Sequence, residues 1–278
     1  MGKSGTVTVE ADLIARSERG PVTVEMLVAD LTALGVEPGM ALLLHSSLSS
    51  LGWVCGGPQA VIVALETVLG PAGTLVVPTH SGANSDPAAW VAPPVPEAWW
   101  PVIRSSMPAY DPHLTPTRGM GAIADTLLRH PGVRRSAHPT VSFAAVGHHA
   151  EEITSGHRLD EQLGISSPVG RLYDLGGSVL LLGVGHDNNT SLHLAEYLAI
   201  WPSKKTHEEA TAVLVDGERQ WVTFTDLAID EGDFPAVGAA FEATGSTRRR
   251  RVGHAVGALM AQRPLVDFAA RWMAEHRQ

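Results

Sequence analysis

ALLLHSSLSSLGWVCGGPQAVIVALETVLGPAGTLVV, residues 41–77, is the stretch that decides the fold. Ala41–His45 is a short apolar run of the length of a buried strand. Ser46–Gly57 is a loop rich in serine and glycine. Pro58 suits the first turn of a helix, where a missing N–H costs nothing, and the apolar pattern continues to Leu69 before Gly70 stops it. Pro71-Ala72-Gly73 turns the chain into a second apolar run, Thr74–Val77. Strand, crossover helix and strand in this order make a β-α-β unit with a parallel strand pair.

Working outward, Thr23 can cap an amphipathic helix that runs to Leu34 and ends at Gly35. Residues 80–118 change character. They hold Trp90, Trp99, Trp100, Tyr110 and many of the prolines, with no sustained period, and a loop of this length is often functional. Further on, Ala122–His130 reads as a helix and Val141–Val146 as a strand. A short helix follows over His149–Thr154, then a capped helix from Ser167-Pro168 to Leu175, then the strand Ser178–Leu182. Asp216-Gly217 between Ala210–Val215 and Gln220–Phe224 is a hairpin signal. The remainder is helical in pattern, broken near Pro235, Arg248–Gly253 and Pro264, with the arginine run read as an exposed linker. The expected fold is α/β: a mixed central sheet flanked by helices, with a β-hairpin and a more helical C-terminal portion. Residues 1–278 read as one domain, with about 1–200 and 201–278 as subdomains.

The composition narrows the partners. A formal net charge of −9 argues against nucleic acid and suits a cationic small substrate, because a negative cleft concentrates positive ligands. One cysteine, Cys55, excludes an intramolecular disulfide and a thiolate zinc site. With no base beside it in sequence, Cys55 reads as a small packed residue. The first twenty residues carry Glu10, Asp12 and Glu18 and no leader-like apolar stretch, and no run approaches a membrane span. These features point to a soluble cytoplasmic protein with no membrane partner.

Chemistry concentrates after the strand Ser178–Leu182. Gly183-Val-Gly-His-Asp-Asn-Asn-Thr-Ser-Leu-His-Leu-Ala-Glu196 starts as a glycine turn carrying His186 and Asp187. Asn189 or Thr190 then caps a helix whose first turns hold His193 and Glu196. Residues three apart share a helix face, so the carboxylate can orient the imidazole and raise its basicity. An acid and a histidine at the carboxyl end of a strand occupy the place where α/β proteins put chemistry. His186, Asp187, His193 and Glu196 could also ligate a metal, although no His-Glu-x-x-His motif accompanies them.

Three further motifs carry less. His45-Ser-Ser-Leu-Ser-Ser-Leu-Gly52 offers hydroxyls and free N–H groups but is neither a P-loop nor a nucleophile elbow. Arg118-Gly-Met-Gly121-Ala-Ile-Ala124 matches a dinucleotide fingerprint only superficially, because a proline-rich loop and not a strand precedes it. Arg134-Arg-Ser-Ala-His-Pro139 sets two cations beside a serine and a histidine.

Five blocks together resemble the aminoglycoside 3-N-acetyltransferases of the antibiotic N-acetyltransferase family. They are LLLHSSLSSLGWVCGGPQAVIVALETVLGPAGTLVVPT, MGAIADTLLRHPGVRRSAHPTVSFAAVG, SSPVGRLYDLGG, LLLGVGHDNNTSLHLAE and RPLVDFAARWM, in the family's order over about residues 22–273. The resemblance implies acetyl-CoA as donor and the 3-amino group of a 2-deoxystreptamine ring as acceptor, hence antibiotic resistance, with no metal. It implies His193 as catalytic base and Glu196 as its orienting acid. It places the HSS loop along the CoA arm, with His45, Ser46, Ser47, Leu48, Gly52, Gly56 and Gly57, and expects Arg135, Ser136 and His138 near the cofactor. It also implies a fold unlike the common GNAT-type acetyltransferases, whose Arg-x-x-Gly-x-Ala signature is matched only formally around Arg250, Gly253 and Ala255.

A polycationic acceptor calls for carboxylates in its cleft. Glu161 and Asp187 are favoured because they flank recognised blocks, followed by Asp86, Asp230, Glu231 and Asp233, with His186 and Asn188 on the cleft wall. The alternatives are a CoA-dependent N-acyltransferase of the same architecture acting on another amine, and a metal-dependent hydrolase. A monomer or a homodimer is expected.

Overall fold

The computed structural model describes residues 10–15, 17 and 20–278. Glu18 and residues 1–9, on which part of the leader reading rests, lie outside the described residues. Among those described, no helix is long and apolar enough to cross a membrane.

Helix α1, Val24–Leu34, is capped as its sequence implies. Thr23 Oγ1 accepts from Met26 N at 3.3 Å, and Gly35 closes the helix at φ 106°. Strand β1 is Ala41–Ser46, α2 is Gly57–Leu69 and β2 is Thr74–Pro78. β1 pairs in parallel with β2 and, on its other side, with β5, Ser178–Leu182. Thus the quoted β-α-β unit forms the middle of the sheet.

The remaining strands join this parallel core antiparallel. They are β3 (Arg134–Arg135), β4 (Phe143–Gly147), β8 (Thr247–Val252) and β9 (Ala255–Ala261), in the order β3-β4-β2-β1-β5-β9-β8. Alternation along the central strands splits the core between two faces, since successive side chains point to opposite sides. Leu42, Leu44, Leu75, Val77, Leu180 and Leu182 pack under α1, α2 and α4 (Gly121–Leu127). Leu43 and Val76 face the other way, toward α5 (Ala150–Thr154) and α6 (Pro168–Asp174). Val179 and Leu181 face the same way, under α7 (Ser191–Leu198), α8 (Phe234–Glu242) and α9 (Gln262–His276). A strand covered on both faces shows no polar alternation, which is why β1 and β5 read as unbroken apolar runs.

The hairpin forms a separate two-stranded sheet, β6 (Thr206–Val215) and β7 (Glu218–Leu227), longer than the apolar runs implied. Its turn holds Asp216 and Gly217 at φ 51° and 83°, the left-handed pair that Asp-Gly tolerates best. The hairpin supports the proline-rich excursion. Tyr110 N donates to Ala212 O at 3.1 Å, and Arg219 binds the carbonyls of Met107 and Arg104. That excursion is not free of structure, as it includes the short helix α3, Trp100–Ser106.

Two local readings are corrected. The arginine run is no linker: it is the edge strand β8, paired antiparallel with β9 through a tight turn at Gly253-His254. Its exposed arginines hid it from a hydrophobic pattern, and charge on an edge strand blocks unwanted pairing. Cys55 is not packed but exposed.

Candidate active site

Three segments meet where the parallel strands end. β1 delivers His45 and Ser46, the end of β2 and the chain just beyond it deliver Pro78 and His80, and the turn after β5 delivers Asp187, Asn188, Asn189 and Thr190. With His193, Glu231, Met120 and neighbours they line a cleft of about 380 Å³. The crevice beyond the carboxyl ends of parallel strands is the usual ligand site of such sheets.

His193 projects from the first turn of α7 and is 9% exposed; Glu196 is fully buried. Their predicted pairing is present: His193 Nδ1 lies 2.6 Å from Glu196 Oε2. With the proton on Nδ1 directed at the carboxylate, the Nε2 lone pair is free, and no described residue bonds it. Phe234 packs against the ring at a centroid distance of 4.7 Å and limits its rotation. Glu196 is itself held, its Oε1 accepting from Asp230 N at 2.9 Å and from Arg277 Nη1 at 2.6 Å.

Asn189, not Thr190, supplies the side-chain bond at the start of α7, its Oδ1 accepting from Ser191 N at 3.2 Å. The Thr190 hydroxyl is therefore available to His45, whose Nε2 lies 3.3 Å from Thr190 Oγ1. Burial first, and the charge of His193 second, push His45 down to about 3, so it is neutral at physiological pH. His80 is pushed down to about 3 by the same causes in the same order, with smaller contributions from His45, His157 and Arg135. Sequence reasoning missed His80, which lies just past the recognised block and carries no motif of its own.

The other expected site residues divide. Asp187, Asn188 and Glu231 line the cleft together with His45 and Ser46. Ser47, Leu48, Gly52, Gly56 and Gly57 do not line it but form the loop leading from it to α2. The Ser47 and Ser49 hydroxyls bond each other at 3.2 Å, and a methyl group placed on Gly57 would meet no atom within 4 Å.

Arg135, Ser136 and His138 are bound up in the protein itself. The Arg135 guanidinium donates to Thr79 O and Ser81 Oγ at 2.8 Å each and to Thr115 O at 2.6 Å, fastening the proline-rich excursion to the sheet. Ser136 Oγ accepts from Phe143 N at 2.9 Å, and buried His138 accepts from Val141 N at 3.2 Å. Asp86 is forked to Arg104 at 2.8 and 2.9 Å. Glu161 accepts from Ile165 N and Ser166 Oγ within its own loop. The Asp230 carboxylate caps Gly232 N, and Asp233 is forked to Arg277.

His186 sits under α8. Its Nε2 is 3.1 Å from Glu242 Oε1, and Gly238 passes so close that any Cβ there would overlap the ring. His186 thus seats a helix and does not line the cleft. Among the described residues, no group of three or more His, Cys, Asp or Glu side chains is arranged to hold a metal ion.

The family model described as aminoglycoside 3-N-acetyltransferase matches residues 43–274. The chain belongs to the aminoglycoside 3-N-acetyltransferase family. Members of this family are acyltransferases, and relatives align along nearly the whole chain. The aminoglycoside N(3)-acetyltransferase VII of Streptomyces paromomycinus is 41% identical, covering 96% of each chain. The SPbeta prophage-derived aminoglycoside N(3')-acetyltransferase-like protein YokD of Bacillus subtilis is 45% identical over 93% of this chain and 95% of its own. Its crystal structure superposes with a TM-score of 0.90 at 44% identity, over 92% of this chain and 95% of that one. AAC-IIIb in binary complex with CoASH superposes at 0.82 with 30% identity, covering 92% of this chain and 97% of that one. AAC-VIa bound to sisomicin superposes at 0.83 with 30% identity, covering 93% and 100%. The mixed α/β architecture is that of these enzymes and not the GNAT fold.

Proposed function

We propose that this protein transfers the acetyl group of acetyl-CoA to the 3-amino group of 2-deoxystreptamine aminoglycosides in the cytoplasm, conferring resistance, with His193 as general base and Glu196 as its orienting acid. The observation that carries this is the 2.6 Å bond from His193 Nδ1 to buried Glu196, with Nε2 left open at the cleft. An aminoglycoside amine is an ammonium at neutral pH and becomes a nucleophile only after losing a proton. His193 Nε2 takes that proton, and the positive imidazolium is stabilised by Glu196. The amine then attacks the thioester carbonyl directly, the C–S bond breaks, and the second amine proton goes to the departing CoA sulfur, leaving the neutral amide and CoASH. No covalent enzyme intermediate and no metal is called for.

The negative charge that develops on the carbonyl oxygen needs a donor. With its proton on Nε2, neutral His45 donates to Thr190 Oγ1 and frees the Thr190 hydrogen for that oxygen. Asp187 and Glu231 supply the negative charge a cationic acceptor needs, with Asn188 beside them. The Ser46–Gly57 loop, open beside Gly57, runs along the CoA arm. Support for both ligands comes from the CoASH-bound and sisomicin-bound relatives.

The test is thiol release from acetyl-CoA across gentamicin-, kanamycin-, neomycin- and apramycin-type acceptors, with the acetylated nitrogen located in each product. The expected product carries the acetyl group on N3, and turnover survives a chelator. General-base catalysis contributes about 10²–10⁴-fold, so His193→Ala falls by that factor with the fold intact. Acetylation of another nitrogen, or wild-type turnover by His193→Ala, refutes the reading.

A further inference from the structure

Glu196 and Glu231 stand on different elements, yet one side chain ties Glu196 to the loop that carries Glu231. Arg277, the residue that follows α9, directs its guanidinium at Glu196 Oε1 through Nη1 at 2.6 Å. Its Nε and Nη2 fork onto the Asp233 carboxylate at 2.7 and 2.6 Å, and Nη2 also donates to Asp230 O at 2.8 Å. The Trp201 ring covers the guanidinium at 5.1 Å. Asp230 in turn gives its N–H to the same Glu196 oxygen, and the next residue, Glu231, lines the cleft.

We infer that Arg277 is a positioning residue for the transfer reaction, locking the dyad carboxylate to the loop that carries Glu231 into the acceptor cleft. The inference rests on the His193–Glu196 reading above. It assigns Arg277 two separable actions. Its fork sets the 230–233 loop, and so the grip on the cationic acceptor. Its charge balances Glu196, and so the ease with which His193 takes a proton.

The other charged or titratable groups facing His193 are Glu196 on its own helix, His45 at the end of β1 and His80 after β2. Asp187 precedes α7, and Asp230, Glu231 and Asp233 lie on the clamped loop. Lys204 is close enough to act on Glu196 but spends its ammonium on the carbonyls of Tyr197 and Ala199 at 2.9 and 2.8 Å. Removing Arg277 leaves the Glu196 and Asp233 carboxylates without their shared cation. The negative charge beside His193 is then unbalanced.

The experiment compares Arg277→Gln, Arg277→Lys and His193→Ala with wild type, measuring kcat/KM against pH and KM for each substrate. In Arg277→Gln the acid limb of the profile is expected to move up by roughly one pH unit, the size of a single nearby charge acting through a protein-like medium. KM rises for the aminoglycoside and not for acetyl-CoA. Arg277→Lys returns the limb to its wild-type position, because the charge is restored, but not the aminoglycoside KM, because the fork is not. If Arg277→Gln does not fold, Arg277→Lys still tests the fork: a wild-type aminoglycoside KM overturns the inference. So does a folded Arg277→Gln with an unmoved acid limb while His193→Ala shows its expected loss. Wild-type turnover by His193→Ala would instead place the failure in the dyad reading.

Discussion

Acidification should unfold this protein through its buried histidines. Three of them are His45, at the wall of the cleft, and His138 and His157, inside the fold. Burial pushes His45 and His138 down to about 3 and His157 to about 4, from an ordinary value of 6.5. His157 is buried between Ser136 Oγ at 2.9 Å and Gln162 O at 2.7 Å, and His138 lies against it at a centroid distance of 4.7 Å. Each is neutral when folded and becomes cationic only on unfolding. A group with a depressed folded value contributes stability that is present above the unfolded value and lost as pH falls toward the folded one. The window is therefore pH 6.5 down to about 3–4. Between pH 7.5 and 5.0 each such histidine costs about 2 kcal/mol, and the three together about 6 kcal/mol. Domains hold about 5–15 kcal/mol in total, so the loss is a large share.

Urea unfolding followed by tryptophan fluorescence at half-unit steps from pH 7.5 to 5.0 measures it. These three histidines should add up to three protons to the slope, and His80, also pushed down to about 3, up to one more. His157→Gln should be less stable than wild type at pH 7.5, but the gap should shrink by about 2 kcal/mol at pH 5.0, because one proton no longer binds on unfolding. A total loss under about 2 kcal/mol over this range, or a gap that stays constant, would show that these imidazoles are not held neutral by burial.

Other expectations are simpler to check. If Asp187 and Glu231 steer a polycationic acceptor, its KM should rise with ionic strength, while that for acetyl-CoA changes less; an equal response of both would sink the assignment. Asp187→Asn with Glu231→Gln should flatten that salt response. Gly238→Ala places a methyl group on the His186 ring and should destabilise by about 1–3 kcal/mol, read as a fall in Tm; an unchanged Tm would mean that α8 does not press on His186 as described. Thr190→Val should lower kcat more than KM if its hydroxyl meets the developing oxyanion, and an unchanged kcat would assign that role elsewhere.

Much of the central layer was legible along the chain because its signals are local. Pro58, Gly35, Thr23 and the Asp216-Gly217 turn each act through a backbone preference of a few neighbouring residues. The His193–Glu196 pair was legible for the same reason, since one helical turn brings the two side chains together. The edge strand β8 was not. Its four arginines face solvent, so no periodic burial marks it, and only pairing with β9 makes it a strand. Which acids line the cleft was not legible either, for a related reason. Asp86, Glu161, Asp230 and Asp233 are carboxylates like Asp187 and Glu231, but their partners lie elsewhere in the chain or within their own loops.

By itself the sequence determined the β-α-β core, the hairpin, the dyad and, through five ordered blocks, the family, because each is encoded in short-range spacing or in the residues themselves. Only the tertiary structure decided what surrounds that dyad. Glu196 meets Arg277 across 81 positions, and Thr190 meets His45 across 145. It also separated His186, which seats α8, from Asp187 beside it, which lines the cleft. Contacts between distant positions depend on how the layers pack, and burial then sets which of thirteen histidines can carry a proton.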